Sequence, residues 1–125
     1  MIKICIADSL PVVVQGLQSY FHGNSKIEIT ATANHLESLL TTLNSKHFDI
    51  VLLDVALDGL SSIRDIKSLL KDFPKSKIIL FTNVSEQMYA ATAIKAGVSA
   101  YVSKRSSLKE LESTIEKVIE GKIVF

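Results

Sequence analysis

The segment from Ile50 to Gly59, IVLLDVALDG, joins a short apolar run to an acid at the point where that run ends. The run IVLL has the length of a strand and contains no polar position, which is typical of a strand covered on both faces of a parallel sheet. Asp54 follows the run directly, whereas the expected turn lies further on, at Asp58 and Gly59. A role in the turn therefore explains Asp54 poorly, and the segment predicts a buried strand that ends on a functional acid.

Strand-like and helix-like patterns alternate from one end of the chain to the other. Apolar runs of strand length are each followed by a segment whose apolar residues recur at helical spacing. Because five consecutive βα units with short connections require parallel strands and right-handed crossovers, we expect a doubly wound α/β domain with helices on both faces of the sheet. The predicted strands are Ile2–Ala7, Ile27–Thr32, Ile50–Leu53, Ile78–Phe81 and Ala100–Val102.

The last two predicted helices differ in how clearly the sequence marks them. The final helix is expected to begin after Ser107, which stands three residues before Glu110 in a capping-box spacing, and to end at Gly121. The fourth helix, about Glu86 to Ala96, has a core side made mostly of alanine. Little apolar area is buried there, so the fourth helix is predicted to be the element that moves most easily.

Composition narrows the class of protein. The 125 residues are 47% hydrophobic, which suits one domain over residues 1–125, and the net charge of +1 comes from scattered basic residues that predict no direct binding to DNA. Cys5, the only cysteine, lies in an apolar run and is predicted to be a core residue in a reducing compartment. No apolar run has the length of a membrane span, so we expect a cytoplasmic protein without membrane attachment.

Polar residues end four of the five predicted strands. In doubly wound sheets, ligands bind at the carboxyl ends of the strands, so these residues are expected to meet at one edge. Two acids, a hydroxyl and a lysine suit Mg²⁺ together with a phosphate group, and a carboxylate beside Mg²⁺ can attack phosphorus to give an aspartyl-phosphate. The residues are Asp8 and Ser9 after the first strand, Asp54 after the third, Thr82 after the fourth, and Ser103 and Lys104 at the end of the fifth.

This ordered set closely resembles the receiver domain of bacterial response regulators, and the resemblance covers essentially the whole chain. The opening IADSLP, followed by Gly16, resembles the NarL/FixJ (LuxR-type) subfamily, whose first strand commonly reads IADDHP. The resemblance implies a flavodoxin-like fold with five helices and strand order 2-1-3-4-5. It also implies that residues 120–125 begin a linker to a C-terminal helix-turn-helix domain that is missing from this sequence.

The resemblance also assigns roles to individual residues. It implies that Asp54 accepts a phosphoryl group from a sensor histidine kinase or a small phosphodonor, and that Lys104 contacts the phosphoryl oxygens. Thr82 and Tyr101 would be switch residues that connect the site to the face formed by the fourth helix, the fifth strand and the fifth helix. Mg²⁺ would be held by Asp8, Asp54 and the backbone carbonyl of Ala56.

Such a protein is a component of a two-component phosphorelay rather than an enzyme, apart from self-catalysed phosphorylation and dephosphorylation. Its expected partners are the kinase and a second copy of the chain, with transcription controlled through DNA that only the missing domain would contact. The dimer or output surface is either the face already described or the side of the first and fifth helices. Apolar candidates on the second surface are Tyr20, Phe21, Ile119 and Phe125, although their helical spacing favours a role as core or as cover for the linker.

Two of the departures from the family pattern concern the predicted metal site. Ser9 stands where the family has its second acid, and because a hydroxyl is a poor substitute for a carboxylate toward Mg²⁺, metal binding and phosphorylation are expected to weaken. Ser9 is therefore only a weak candidate ligand, and it is also predicted to cap the first helix. Asp58 stands where the family has a proline, and one hypothesis is that its carboxylate restores the missing charge.

Three functions are compatible with these observations. The first is a receiver that is switched by phosphorylation of Asp54 despite Ser9. The second is an atypical, phosphorylation-independent receiver that acts as a dimerisation or partner-docking module. The third, a nucleotide- or flavin-binding enzyme on the same fold, is disfavoured, because the turn after the first strand, ADSLP, has no glycine-rich phosphate loop and the chain has no tryptophan.

Overall fold

The computed structural model describes residues 1–83 and 87–124, and of Gln87 and Met88 only the backbone. Its five strands form one parallel sheet in the order β2-β1-β3-β4-β5, which confirms the predicted flavodoxin-like fold. The elements in chain order are β1 (Ile2–Ala7), α1 (Pro11–Phe21), β2 (Ile27–Ala33), α2 (Leu36–Ser45), β3 (Ile50–Leu53), α3 (Ile63–Asp72), β4 (Lys77–Thr82), α4 (Gln87–Ala96), β5 (Ala100–Ser103) and α5 (Leu108–Ile119).

The strands divide their side chains between two apolar layers. Alternate residues of β3 face opposite sides, so that Val51 and Leu53 pack with α2, α3 and α4, whereas Ile50 and Leu52 pack with α1 and α5. All four residues are buried, as the continuous apolar run predicts. Cys5 is buried in the first layer, where loss of hydration raises the pKa of its thiol to about 12. The cysteine is therefore a core residue, as expected.

The helix boundaries follow the capping signals of the sequence. Ser107 Oγ accepts a hydrogen bond from the backbone N–H of Glu110 at 3.1 Å, as the capping-box spacing predicts. Gly121 follows α5 with a positive φ of 94°, and the N–H groups of Gly121 and Lys122 donate to carbonyls in the last turn of the helix. The predicted start of the fourth helix at Glu86 lies outside the described residues.

The start of α1 differs from the prediction. Leu10 is the residue before the helix and makes no side-chain capping bond, and Pro11 opens the first turn. The prediction that Ser9 caps α1 is wrong, because Ser9 lies one position before the cap and its hydroxyl is hydrogen-bonded to two loops instead. Asp8 provides the side-chain hydrogen bond in this turn instead: its Oδ1 accepts from the N–H of Leu10 at 2.9 Å.

The end of the chain returns to the sheet. The N–H of Val124 donates to the carbonyl of Ser99 at 2.9 Å, and the N–H of Tyr101 donates to the carbonyl of Val124 at 3.0 Å. The segment before Phe125 therefore runs parallel to the outer edge of β5, and it satisfies backbone groups that the edge would otherwise leave unpaired. Within the described parts of the chain, no helix has the length and apolar character needed to cross a membrane.

The change in burial along α5 gives a direct test of this packing. Ile115 is fully buried, whereas Ile119, one turn later, is 39% exposed. Ile115→Ala should lower the free energy of unfolding by about 2–5 kcal/mol, because it removes apolar contacts and leaves a cavity. Ile119→Ala is the matched control and should cost about 1 kcal/mol or less. Urea denaturation followed by circular dichroism measures both, and equal losses would contradict the deeper burial of Ile115.

Candidate functional site

Four of the predicted site residues meet at the carboxyl edge of the sheet. Asp8 follows β1, Asp54 follows β3, Thr82 ends β4 and Lys104 follows β5. Each acid is buried, as is Thr82, and the side chain of Lys104 is only 7% exposed. The fold thus brings together groups from four strands, because the carboxyl ends of parallel strands lie on the same edge.

Hydrogen bonds from three directions hold the carboxylate of Asp54. Its Oδ1 accepts from the hydroxyl of Thr82 at 2.8 Å and from the backbone N–H of Ala56 at 3.0 Å. Its Oδ2 accepts from Lys104 Nζ at 2.7 Å. These three donors fix the orientation of the carboxylate. Among the described residues, Oδ2 has the single donor Lys104.

The ammonium group of Lys104 bridges the two acids. Lys104 Nζ lies 2.6 Å from Asp8 Oδ2 and 2.7 Å from Asp54 Oδ2. Because one positive charge faces two buried negative charges, the group as a whole retains one negative charge. This excess favours the binding of a further cation, and it makes the loss of Lys104 costly.

Burial and hydrogen bonding act on Asp54 and Lys104 in opposite directions. Burial alone raises the pKa of Asp54, but the hydrogen bonds from Lys104, Ala56 and Thr82 outweigh burial and hold the pKa below its usual value. Burial likewise lowers the pKa of Lys104, and its bonds to Asp54 and Asp8 outweigh that effect and raise the pKa. Asp54 is therefore an ionised, oriented carboxylate at neutral pH, as a nucleophile must be.

Ser9 points to the loops around the site. Its Oγ donates to the backbone carbonyl of Asn34 at 3.0 Å and accepts from the backbone N–H of Asp58 at 2.9 Å. The role of Ser9 as a weak metal ligand stays a prediction, and the hydroxyl has one remaining lone pair to offer a cation. Asn34 is a contributor that sequence reasoning missed, and no signal marks it, because it acts through a backbone atom.

The other two predicted residues lie beside this centre. Ala56 is exposed in the loop after β3, and it contacts Asp54 through its backbone N–H. Tyr101 is half-buried in β5 and packs against the apolar layer of α2, α3 and α4. Tyr101 therefore lies on the side of the sheet that carries α4, where the predicted switch face would be.

The oxygen donors at this edge of the sheet are few, but they suit Mg²⁺. Across residues 1–83 and 87–124, no group of three or more histidine, cysteine, aspartate or glutamate side chains is arranged to hold a metal ion. Mg²⁺ in phosphoryl-transfer sites, however, commonly uses one or two carboxylates and completes its shell with water and phosphate oxygens. Asp8 and Asp54 already share one cation, the ammonium of Lys104, so their carboxylates fit such an ion.

The family model for the response regulator receiver domain matches residues 4–116. The chain belongs to this family: it is a receiver domain of response regulators, a signalling module of two-component systems. A solved two-component response regulator of the LuxR family from Aurantimonas sp. SI85-9A1 superimposes with a TM-score of 0.89 at 25% identity, over 98% of this chain and 88% of that one. The resemblance to the NarL/FixJ, or LuxR-type, group is thereby confirmed.

Curated relatives are longer than this chain. The response regulator protein VraR of Staphylococcus aureus (strain NCTC 8325 / PS 47) is 26% identical over 124 residues, which cover 99% of this chain and 59% of VraR. The transcriptional regulatory protein YhcZ of Bacillus subtilis (strain 168) is 35% identical over 113 residues, covering 90% of this chain and 52% of YhcZ. The chain therefore spans between half and three fifths of the length of these relatives.

Removing the bridging cation should reverse the pH dependence of stability. Because the pKa of Asp54 is depressed in the folded state, its contribution is present above the unfolded pKa and is lost as pH falls through the folded pKa. In Lys104→Ala, the two acids face each other without a cation, so the pKa of Asp54 should rise above its usual value. This variant should lose about 3–5 kcal/mol at pH 7 and regain part of the loss on acidification.

Urea unfolding between pH 4 and 7 measures this change. Lys122→Ala is the matched control, because the ion pair of Lys122 with Glu120 has side chains 63% and 62% exposed and should contribute little. A Lys104→Ala profile parallel to that of the wild type would show that the bridge does not couple to Asp54.

Proposed function

We propose that this receiver accepts a phosphoryl group on Asp54. The observation that carries the proposal is the arrangement around this buried acid, with Lys104 Nζ on Oδ2 at 2.7 Å and the Thr82 hydroxyl on Oδ1 at 2.8 Å. A carboxylate that is ionised, fixed at a strand end and adjacent to a cation is prepared to attack phosphorus. The cation and the hydroxyl are then in place to bind the oxygens of the transferred group.

The transfer forms one bond and breaks one. An oxygen of Asp54 bonds to phosphorus, and the bond from phosphorus to the donor breaks, with its electron pair leaving on the histidine of a sensor kinase or on acetate from acetyl phosphate. Asp54 enters without a proton to lose, because the depressed pKa keeps it ionised. Lys104 contacts both acids, so it can follow the negative charge as that charge moves onto the phosphoryl oxygens.

We assign the metal to Asp8 and Asp54, with the backbone carbonyl of Ala56 as a further ligand. Mg²⁺ bound there would neutralise charge between the acids and the incoming phosphoryl group. Its affinity is expected to be modest, because two carboxylates share the site with Lys104 and Ser9 contributes a hydroxyl where a third carboxylate would bind more strongly. The same residues would support self-catalysed loss of the phosphoryl group to water.

Phosphorylation would act as a switch through Thr82. In the structure, the Thr82 hydroxyl donates to Asp54 Oδ1, an atom whose surroundings change when the acid becomes an acyl phosphate. Thr82 would then move to a phosphoryl oxygen, and Tyr101, on the neighbouring strand β5, would reorient toward the space released. In this way a local change of charge at Asp54 would alter the conformation of the face formed by α4, β5 and α5.

The relatives support a proposal for the downstream function. Their greater length and the LuxR-family description of the structural neighbour support a role in transcription, in which DNA is contacted by a further domain. A sensor histidine kinase and a second copy of the chain are the proposed partners, and we propose a cytoplasmic location.

A second candidate function is a phosphorylation-independent docking or dimerisation module. The observation that favours it is the serine at position 9, whose hydroxyl is used by two loops rather than directed at Asp54. In that case a partner or ligand would shift the same switch elements without any phosphate.

Acetyl phosphate separates these two functions. With Mg²⁺ present, the intact mass of the wild-type domain should show one phosphoryl adduct, and Asp54→Ala should show none, because the attacking oxygen is gone. Asp72→Asn is the matched control, since Asp72 is exposed at the end of α3, far along the chain from the strand-end acids. An unmodified wild type under conditions that label a typical receiver would support the phosphorylation-independent module.

The assignment of the metal to Asp8 gives a separate prediction. Asp8→Asn should raise the Mg²⁺ concentration required for half-maximal phosphorylation by about tenfold or more, because an amide oxygen binds the ion more weakly than a carboxylate. Initial rates of adduct formation over a Mg²⁺ series measure the shift. An unchanged Mg²⁺ requirement would remove Asp8 from the metal site.

A further inference from the structure

We propose that Ser9 is a positioning residue. In this proposal its hydroxyl and the backbone N–H of Asp58 form one unit that holds the loop after β3, and this unit limits how well position 9 can serve a divalent cation. The part that concerns the cation rests on the proposed function. The part that concerns the loop stands on the hydrogen bonds alone.

The Ser9 hydroxyl joins three loops that follow neighbouring strands. It lies after β1, donates to the Asn34 carbonyl after β2 at 3.0 Å, and accepts from the Asp58 N–H after β3 at 2.9 Å. Both hydrogen-bonding partners are backbone atoms, so the contacts fix the paths of the two other loops directly.

The loop after β3 is fastened at the same residue from its other side. The carbonyl of Asp58 accepts from the N–H of Leu36, the first residue of α2, at 2.8 Å. Gly59 follows with a φ of 89°, and a Cβ built on it would lie 3.2 Å from the Cβ of Leu36. Both backbone groups of Asp58 are therefore engaged, and the loop is closely seated against the start of α2.

This loop also carries a direct contact to the phosphoacceptor. The N–H of Ala56, two residues before Asp58, donates to Asp54 Oδ1 at 3.0 Å. The N–H of Leu57, which is buried, donates to the carbonyl of Asp54 at 3.1 Å. A change in how Ser9 holds Asp58 is therefore transmitted over a short, hydrogen-bonded segment to the orientation of Asp54.

The N–H of Asp58 makes the residue types at positions 9 and 58 depend on each other, because it is hydrogen-bonded to the side chain at position 9. Proline at position 58 would have no N–H, and the bond to residue 9 could not form. In this chain, an aspartate introduced at position 9 would find that N–H within reach, and charge-assisted hydrogen bonds from backbone amides to carboxylates are strong. The new carboxylate would then be held toward the loop instead of the cation. Ser9→Asp alone should therefore restore metal binding poorly.

The first test is a comparison of Mg²⁺ affinity in four proteins: the wild type, Ser9→Asp, Asp58→Pro and the double variant. Calorimetric titration with MgCl₂ measures the dissociation constants without any phosphodonor. We expect Ser9→Asp to tighten binding about threefold or less, and the double variant to tighten it by about tenfold or more, because the competing hydrogen bond is absent. Equal gains in the presence and absence of Asp58→Pro would overturn the proposal.

Asp58→Asn supplies the matched control, because it keeps the N–H and removes the carboxylate. Ser9→Asp combined with Asp58→Asn should bind Mg²⁺ like Ser9→Asp alone, to within about twofold. If that combination instead matched the variant with proline, the charge of Asp58 rather than its N–H would be responsible, and the proposal would be wrong.

Amide hydrogen exchange tests the loop independently of metal and phosphate. Ser9→Ala should speed exchange of the Asp58 amide by about fivefold or more, the effect of losing one hydrogen bond, and Ser9→Thr, which keeps a hydroxyl, should restore protection. Unchanged Asp58 exchange in Ser9→Ala would overturn the proposal even if Asp58→Pro failed to fold. A wild type that shows this coupling but accepts no phosphoryl group would refute the proposed function and leave the positioning role of Ser9 intact.

Discussion

The site depends on one buried cation, the ammonium of Lys104, held between two carboxylates. Burying Asp8 and Asp54 side by side would be strongly unfavourable without it, because unpaired buried charges lose their hydration and repel each other. The distances of 2.6 and 2.7 Å show that a single ammonium compensates both acids. The strand order makes this geometry available: β1 and β3 are neighbours, and Lys104 reaches them from β5 across β4.

A second set of contacts surrounds this charged centre and connects it to the rest of the fold. Thr82 and Ala56 orient the Oδ1 atom of Asp54, so the carboxylate is tied both to β4 and to the loop after β3. At the outer edge of the sheet, the N–H of Tyr101 in β5 donates to the carbonyl of Val124. Asp54, the predicted phosphoacceptor, follows β3, and β5, the predicted switch strand, is two strands away in the same sheet. Thr82 lies on β4, between them, so a rearrangement of Thr82 directly adjoins β5.

The serine at position 9 changes the site in two ways. By the resemblance to the family, it stands in place of a carboxylate, which would leave Lys104 to balance two acids rather than three. It also introduces a hydroxyl that donates to the backbone carbonyl of Asn34 and accepts from the backbone N–H of Asp58. Position 9 therefore carries no charge in this chain, and its hydroxyl links two loops.

Sequence patterns were enough to predict the five strands to within one residue at each end, the helices on both faces of the sheet, the cap at Ser107 and the convergence of Asp8, Asp54, Thr82 and Lys104. These features follow from local periodicity and from the rule that parallel strands share a carboxyl edge. The role of Ser9 depends on contacts formed in the folded chain, which is why the expected cap on α1 was wrong. Its partners, Asn34 and Asp58, lie 25 and 49 positions away along the chain and act through backbone atoms, which no pattern of side chains can mark.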